Sequence, residues 1–88
     1  MPARHLIIKG EVQGVFYRAS ARKVARATGV TGWIRNTPDG HVEAVVNGHD
    51  EELDKFVSWC RQGPADAVVT DVIISAAEQT EFDDFTIR

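Results

Sequence analysis

The sequence predicts an α+β fold: β-α-β-β-α-β plus a short C-terminal strand, with two helices on one face of an antiparallel sheet. Three observations carry this. Apolar residues alternate with period two in three of the four longest strand segments. Two segments of similar length switch to the helical period. Glycine or proline stands where the period changes. With 88 residues, positions 1–88 are expected to form one domain around one modest core.

Over His5–Val12, Leu6, Ile8, Gly10 and Val12 share one side, which reads as a strand with one buried face. From Phe16 onward, Tyr17, Ala21, Val24, Ala25 and Thr28 line one face of a helix, and Gly29 is placed to close it with a left-handed cap. Val30–Asn36 alternates again. Thr37-Pro38-Asp39-Gly40 is a turn sequence, because proline presets φ, aspartate bonds nearby backbone and glycine accepts positive φ. His41–Asn47 returns with Val42, Ala44 and Val46 on one face, completing a hairpin.

Gly48-His49 breaks that strand. Asp50, Glu51 and Glu52 suit the positive end of a second helix, whose stripe is Leu53, Phe56, Val57 and Cys60. Gly63 and Pro64 end it. Ala67–Ser75 is rich in valine and isoleucine and reads as a strand, 76–84 as a polar loop or irregular edge, and Phe85–Arg88 as a short last strand. Right-handed crossovers place both helices on one face, which gives the ferredoxin-like plait.

The apolar share of 43% and charged share of 26% describe an ordinary soluble globule. The net charge of −3 argues against a general nucleic-acid binder. Charge is uneven, +4 over residues 1–48 and −7 over 49–88, so an anion site is expected in the first half. Cys60 is the lone cysteine, which excludes an intramolecular disulfide and fits a reducing, cytoplasmic location. No apolar run approaches the ~18 residues of a membrane span, and the first nine residues do not read as a signal peptide.

The stretch Gln13-Gly14-Val15-Phe16-Tyr17-Arg18 joins the first strand to the first helix. A glycine there lets successive N–H groups converge, the helix dipole favours an anion, and Arg18 offers a planar fork matched to phosphate oxygens. A plain βα turn with an exposed arginine fits the same residues equally well. Asn36 ends a strand before the hairpin turn. It can approach Arg18 if the first and second strands end at the same side of the sheet. Its amide could hold a water and donate to a phosphate oxygen, although a turn role fits Asn-Thr-Pro-Asp-Gly better on local grounds. The three histidines show no metal-ligand spacing and are expected to face solvent. Cys60 reads as core. No cysteine or serine precedes Arg18 in the loop to support a covalent phosphoenzyme, and no Gly-rich loop ends in Lys-Ser/Thr.

Two stretches together resemble the acylphosphatase family: Gly10-x-Val12-Gln13-Gly14-Val15-x-Tyr17-Arg18, and Gly32-Trp33-Ile34-Arg35-Asn36 followed by Gly40, Val42 and Gly48. Length and element order match as well, so the resemblance covers the whole chain. Ile34 stands where a smaller apolar residue is more usual, and no aromatic follows Ile87-Arg88. The resemblance implies hydrolysis of small acyl phosphates to a carboxylate and inorganic phosphate. It implies that Arg18 and the backbone N–H groups of Gln13–Arg18 hold the phosphoryl group and that Asn36 positions water. The leaving carboxylate is stable without protonation, so positioning and charge stabilisation suffice. The expectation is a monomer with no cofactor, no metal, no nucleic-acid partner and no membrane attachment. A non-enzymatic ferredoxin-like module that binds an anion or a partner is the alternative, and RNA binding on the sheet face a weaker one.

Overall fold

The computed structural model describes residues 2–78 and 80–88 of the chain. Its elements are strand β1 (Ala3–Glu11), helix α1 (Tyr17–Thr28), strands β2 (Thr31–Asn36) and β3 (Val42–Asn47), helix α2 (Asp50–Gln62), and strands β4 (Val68–Ala76) and β5 (Phe85–Ile87). The sheet order is β4-β1-β3-β2-β5. The four long strands pair antiparallel, as the sequence predicts, whereas β5 lies parallel to β2. The complete sheet is therefore mixed. A terminal strand of three residues carries no period from which its partner could be read. Ala76 closes β4 rather than opening the expected loop, and position 79 within that loop lies outside the described residues.

The alternation seen in the sequence becomes the core. Leu6, Ile8, Ile34, Val42, Ala44 and Val46 are fully buried beneath the helical residues Tyr17, Ala21, Ala25, Leu53, Phe56 and Cys60. Both helices thus cover the same sheet face. Gly29 adopts the left-handed cap of α1 and donates to the Ala25 carbonyl. Gly63 donates to the Trp59 carbonyl at 2.8 Å and ends α2. At the other end of α2, the Glu52 carboxylate accepts from the His49 N–H at 3.0 Å, satisfying a helix-end donor. The apolar run of β4 is mostly uncovered: Val72, opposite Ile8, is buried, whereas Ile73, opposite Ile7, faces the side of the sheet that the helices leave bare, and Val68 is exposed as well. Among the described residues, no helix is long and apolar enough to cross a membrane.

Two of the three histidines do not simply face solvent. His5 Nε2 sits 2.7 Å from Glu43 Oε2, and Arg35 Nε donates to Glu43 Oε1 at 2.6 Å. The bond to His5, with the Arg35 pair, holds the Glu43 carboxyl below its usual range. His41 is half-buried beside the hairpin turn, and only His49 is exposed as expected.

Tyr17, the first residue of α1, is anchored deeply. Its hydroxyl donates to the Cys60 carbonyl at 2.7 Å, and its ring lies 5.2 Å from that of Trp59. Burial keeps that hydroxyl protonated and pushes the Cys60 thiol up to about 12. The thiolate is the reactive form, so native protein at pH 8 is expected to resist alkylation of Cys60. Mass spectrometry after iodoacetamide treatment checks this, with stoichiometric labelling only in denaturant.

Candidate active site

The site grows out of the end of β1. A bulge falls between Lys9 and Gly10, where the pairing with β4 shifts register. Gly10 has φ +127°, and a Cβ there would lie 2.0 Å from the Val68 carbonyl oxygen, so no larger residue fits the bulge. Val12 is buried beyond it, and the chain then turns outward through Gln13–Phe16.

Two residues of this turn have left-handed backbones, Gly14 at φ +74° and Phe16 at φ +62°. Separated by Val15, they alternate the backbone hand, the pattern that points successive N–H groups toward one concavity. Phe16 is the N-cap of α1, and no side chain caps that end. The first intrahelical bond in this region runs from Ser20 N–H to the Phe16 carbonyl at 3.0 Å. The N–H groups that precede it have no intrahelical acceptor, and the first turn carries no acidic residue. The helix start is thus positive, uncapped and free of fixed negative charge, which suits an incoming anion.

Gly14 needs its left-handed conformation but has open space around a would-be Cβ. Replacement by alanine is therefore expected to cost only backbone strain, about 1–2 kcal/mol. The loss should appear as weaker inhibition by inorganic phosphate, with asparagine, which tolerates this backbone region, closer to wild type. Comparing phosphate inhibition constants for the two variants checks it.

Arg18 occupies the first turn of α1, half-buried, and has no ion-pair partner among the described residues. Arg26, two turns on, is engaged by Asp84 through two bonds of 3.1 and 2.7 Å. Arg18 borders a cavity of about 300 Å³ together with Val12, Gly14, Phe16 and Ile87.

Asn36 ends β2. Both Ile8 of β1 and Asn36 pair with Val42 of the intervening β3, so β1 and β2 finish at the same end of the sheet. This is the condition under which Asn36 can approach the loop. The side chain of Gln13 joins the two regions. Its Nε2 donates at 2.8 Å to the Thr37 carbonyl and at 2.8 Å to the His41 carbonyl. The loop is thereby fastened to the turn that follows Asn36. The turn itself is closed by Thr37 N–H to the His41 carbonyl at 2.9 Å, by His41 N–H to Thr37 Oγ1 at 3.1 Å, and by the Thr37 hydroxyl donating to Asp39. That last bond lowers the Asp39 carboxyl below its usual range. Asn36 Oδ1 is buried with no hydrogen-bond partner among the described residues. An unpaired buried acceptor costs about 1–3 kcal/mol, so it calls for a use.

The structure thus gathers Gln13, Gly14, Phe16 and Arg18 around one loop and ties that loop beside Asn36. Among the described residues, Arg18 and Asn36 border different cavities: Asn36 lines a second, shallow one with Trp33, Arg35, Glu43 and Arg88. Tyr17 turns its side chain into the core and Val15 packs partly against it, so each offers the loop only backbone. The Gln13 amide tether is the feature of the candidate site that local sequence reasoning misses, since both its acceptors lie in a distant segment. Among the described residues, no group of three or more His, Cys, Asp or Glu side chains is placed to hold a metal ion.

A ferredoxin-like plait whose first βα junction is a left-handed loop leading to Arg18 at an uncapped helix start defines the class of this domain. A family model described as acylphosphatase matches residues 4–87. Over 84 residues the chain is 50% identical to an acylphosphatase of Haloquadratum walsbyi, with 96% of this chain and 90% of that one covered. It is 49% identical over 84 residues to an acylphosphatase of Syntrophus aciditrophicus, with 94% and 88% covered. Among solved structures, the acylphosphatase of Bacillus subtilis superposes with a TM-score of 0.95 at 30% identity, covering 100% of this chain and 99% of that one. The chain belongs to the acylphosphatase family.

Proposed function

We propose that this protein hydrolyses the carboxyl–phosphate bond of small acyl phosphates by direct attack of water. The observation that carries the reading is the uncapped, left-handed loop with Arg18, fastened by Gln13 to the turn that follows Asn36. In this reading the phosphoryl group sits in the loop. Its oxygens accept from the backbone N–H groups of Gln13–Arg18, and the Arg18 fork bridges two of them. Asn36 Oδ1 accepts a hydrogen bond from the attacking water and aims its oxygen at phosphorus. As the new P–O bond forms, the bond to the acyl oxygen breaks and its electron pair leaves on the carboxylate. The water proton passes to a non-bridging phosphate oxygen, which yields the carboxylate and inorganic phosphate. The good leaving group removes the need for a strong general acid, and charge on the equatorial oxygens is met by fixed donors. The work is done by one domain over residues 1–88, acting as a monomer in the cytoplasm without a metal or nucleic-acid partner.

The Gln13 side chain is a positioning group in this scheme. Gln13→Glu removes both donors and sets a carboxylate against two carbonyl oxygens, so kcat/KM is expected to fall tenfold or more. Gln13→Ala should fall less, with stability changing by only about 1–2 kcal/mol for the two lost bonds. Steady-state kinetics beside thermal melts separates the two effects. The function itself is tested by hydrolysis of benzoyl phosphate with chelator present, in wild type, Arg18→Ala and Asn36→Ala. Turnover lost in both variants supports the reading; no turnover by folded wild type would make the protein a binding module.

A further inference from the structure

Resting on that reading, we infer that Phe16 forms the contact surface for the acyl half of the substrate and favours flat, apolar acyl groups. Phe16 is 81% exposed, the highest exposure among the described large hydrophobic residues, and it sits in a left-handed backbone that disfavours any side chain. Neither property helps the fold: the ring buries almost nothing, and glycine would fit the backbone with less strain. A large apolar ring held there at such a disadvantage has a use outside the core.

Its neighbours indicate the use. Phe16 lines the same cavity as Arg18, and Val12 and Ile87 contribute further apolar wall. In-line displacement puts the entering water and the leaving carboxylate on opposite sides of phosphorus. With water held on the Asn36 side, the acyl group projects away from the hairpin. The cavity beside Arg18 is separate from the one that Asn36 borders, and it is the one walled by Phe16. A planar acyl group leaving in that direction meets an aromatic face, whereas a methyl group leaves most of that face unused. Stacking and edge-to-face contacts of rings are worth up to roughly a tenfold change in affinity.

The test compares kcat/KM for benzoyl phosphate and acetyl phosphate in wild type, Phe16→Asn and Phe16→Tyr. Asparagine tolerates the left-handed backbone and removes the ring; tyrosine keeps the ring. The benzoyl-to-acetyl ratio is expected to fall about tenfold in Phe16→Asn and to stay near wild type in Phe16→Tyr. A parallel loss on both substrates in Phe16→Asn would overturn the inference and leave Phe16 as a backbone element of the loop. A measurement on wild type alone guards against a variant that misfolds: benzoylphosphonate should inhibit about tenfold more tightly than acetylphosphonate, and equal inhibition would also overturn it. If folded wild type hydrolyses neither acyl phosphate, the functional reading fails and the inference with it. Hydrolysis of both with an unchanged ratio sinks the inference alone.

Discussion

Arg18→Ala is expected to lower kcat/KM for an acyl phosphate by roughly a thousandfold, and Arg18→Lys by roughly a hundredfold, in line with the loss of preorganised donors at developing phosphate charge. Two features of the structure set these sizes. Arg18 has no carboxylate partner among the described residues, so its charge is not already committed within the protein. It also stands in the first turn of a helix that lacks a capping side chain and an acidic residue, and it is the charged side chain lining the cavity at the loop. Lysine keeps the charge but offers a point rather than a fork, and two oxygens can no longer be bridged in one plane. Most of the lysine deficit should appear in KM and in the inhibition constant of inorganic phosphate. A lysine variant with near-normal KM would remove Arg18 from phosphate binding. The fold should tolerate both changes, because Arg18 is outside the buried core.

Asn36→Ala should show the opposite division. Turnover is expected to fall about a hundredfold, the scale on which misplacing a reacting group acts, while inorganic phosphate inhibits nearly as well as before. The structure adds a second readout. Asn36 Oδ1 is buried without a partner, so removing it takes away an unsatisfied acceptor rather than a bond. The thermal midpoint should therefore hold or rise as activity falls. A turn residue would behave otherwise: losing it would lower stability and leave kcat alone. Unchanged turnover in this variant would take Asn36 out of the mechanism.

How much of this the sequence reveals depends on how local each cause is. The Tyr17–Ala21–Ala25 stripe, the Gly29 cap and the Val42–Ala44–Val46 face follow from periodicity and glycine within a few residues, and the structure shows all three. Gly14 and Arg18 are legible for the same reason. The left-handed Phe16 is not, because nothing about phenylalanine announces positive φ; the surrounding loop imposes it. The Gln13 tether is not legible either, since it spans separations of 24 and 28 residues and depends on strand order. The exposure of Ile73 likewise reflects the bare face of the sheet, which composition hides. The order of the four long strands follows from the right-handed crossovers of the plait, whereas the parallel placement of β5 is a choice that a three-residue segment leaves open.

The placement of β1 between β3 and β4 also bears on how the chain reaches its active form. The loop leaves β1, but both of its fastening bonds end on a hairpin that joins β1 only through sheet pairing. Helix α1 can form locally in under a microsecond, whereas pairings between distant strands must first overcome the entropy of closing long loops. A refolding molecule with its helices in place would therefore still have a loose loop. Recovered activity should lag behind recovered helical signal and keep time with assembly of the central strands, so the rate of hydrolysis in a stopped-flow refolding trace becomes a clock for sheet formation.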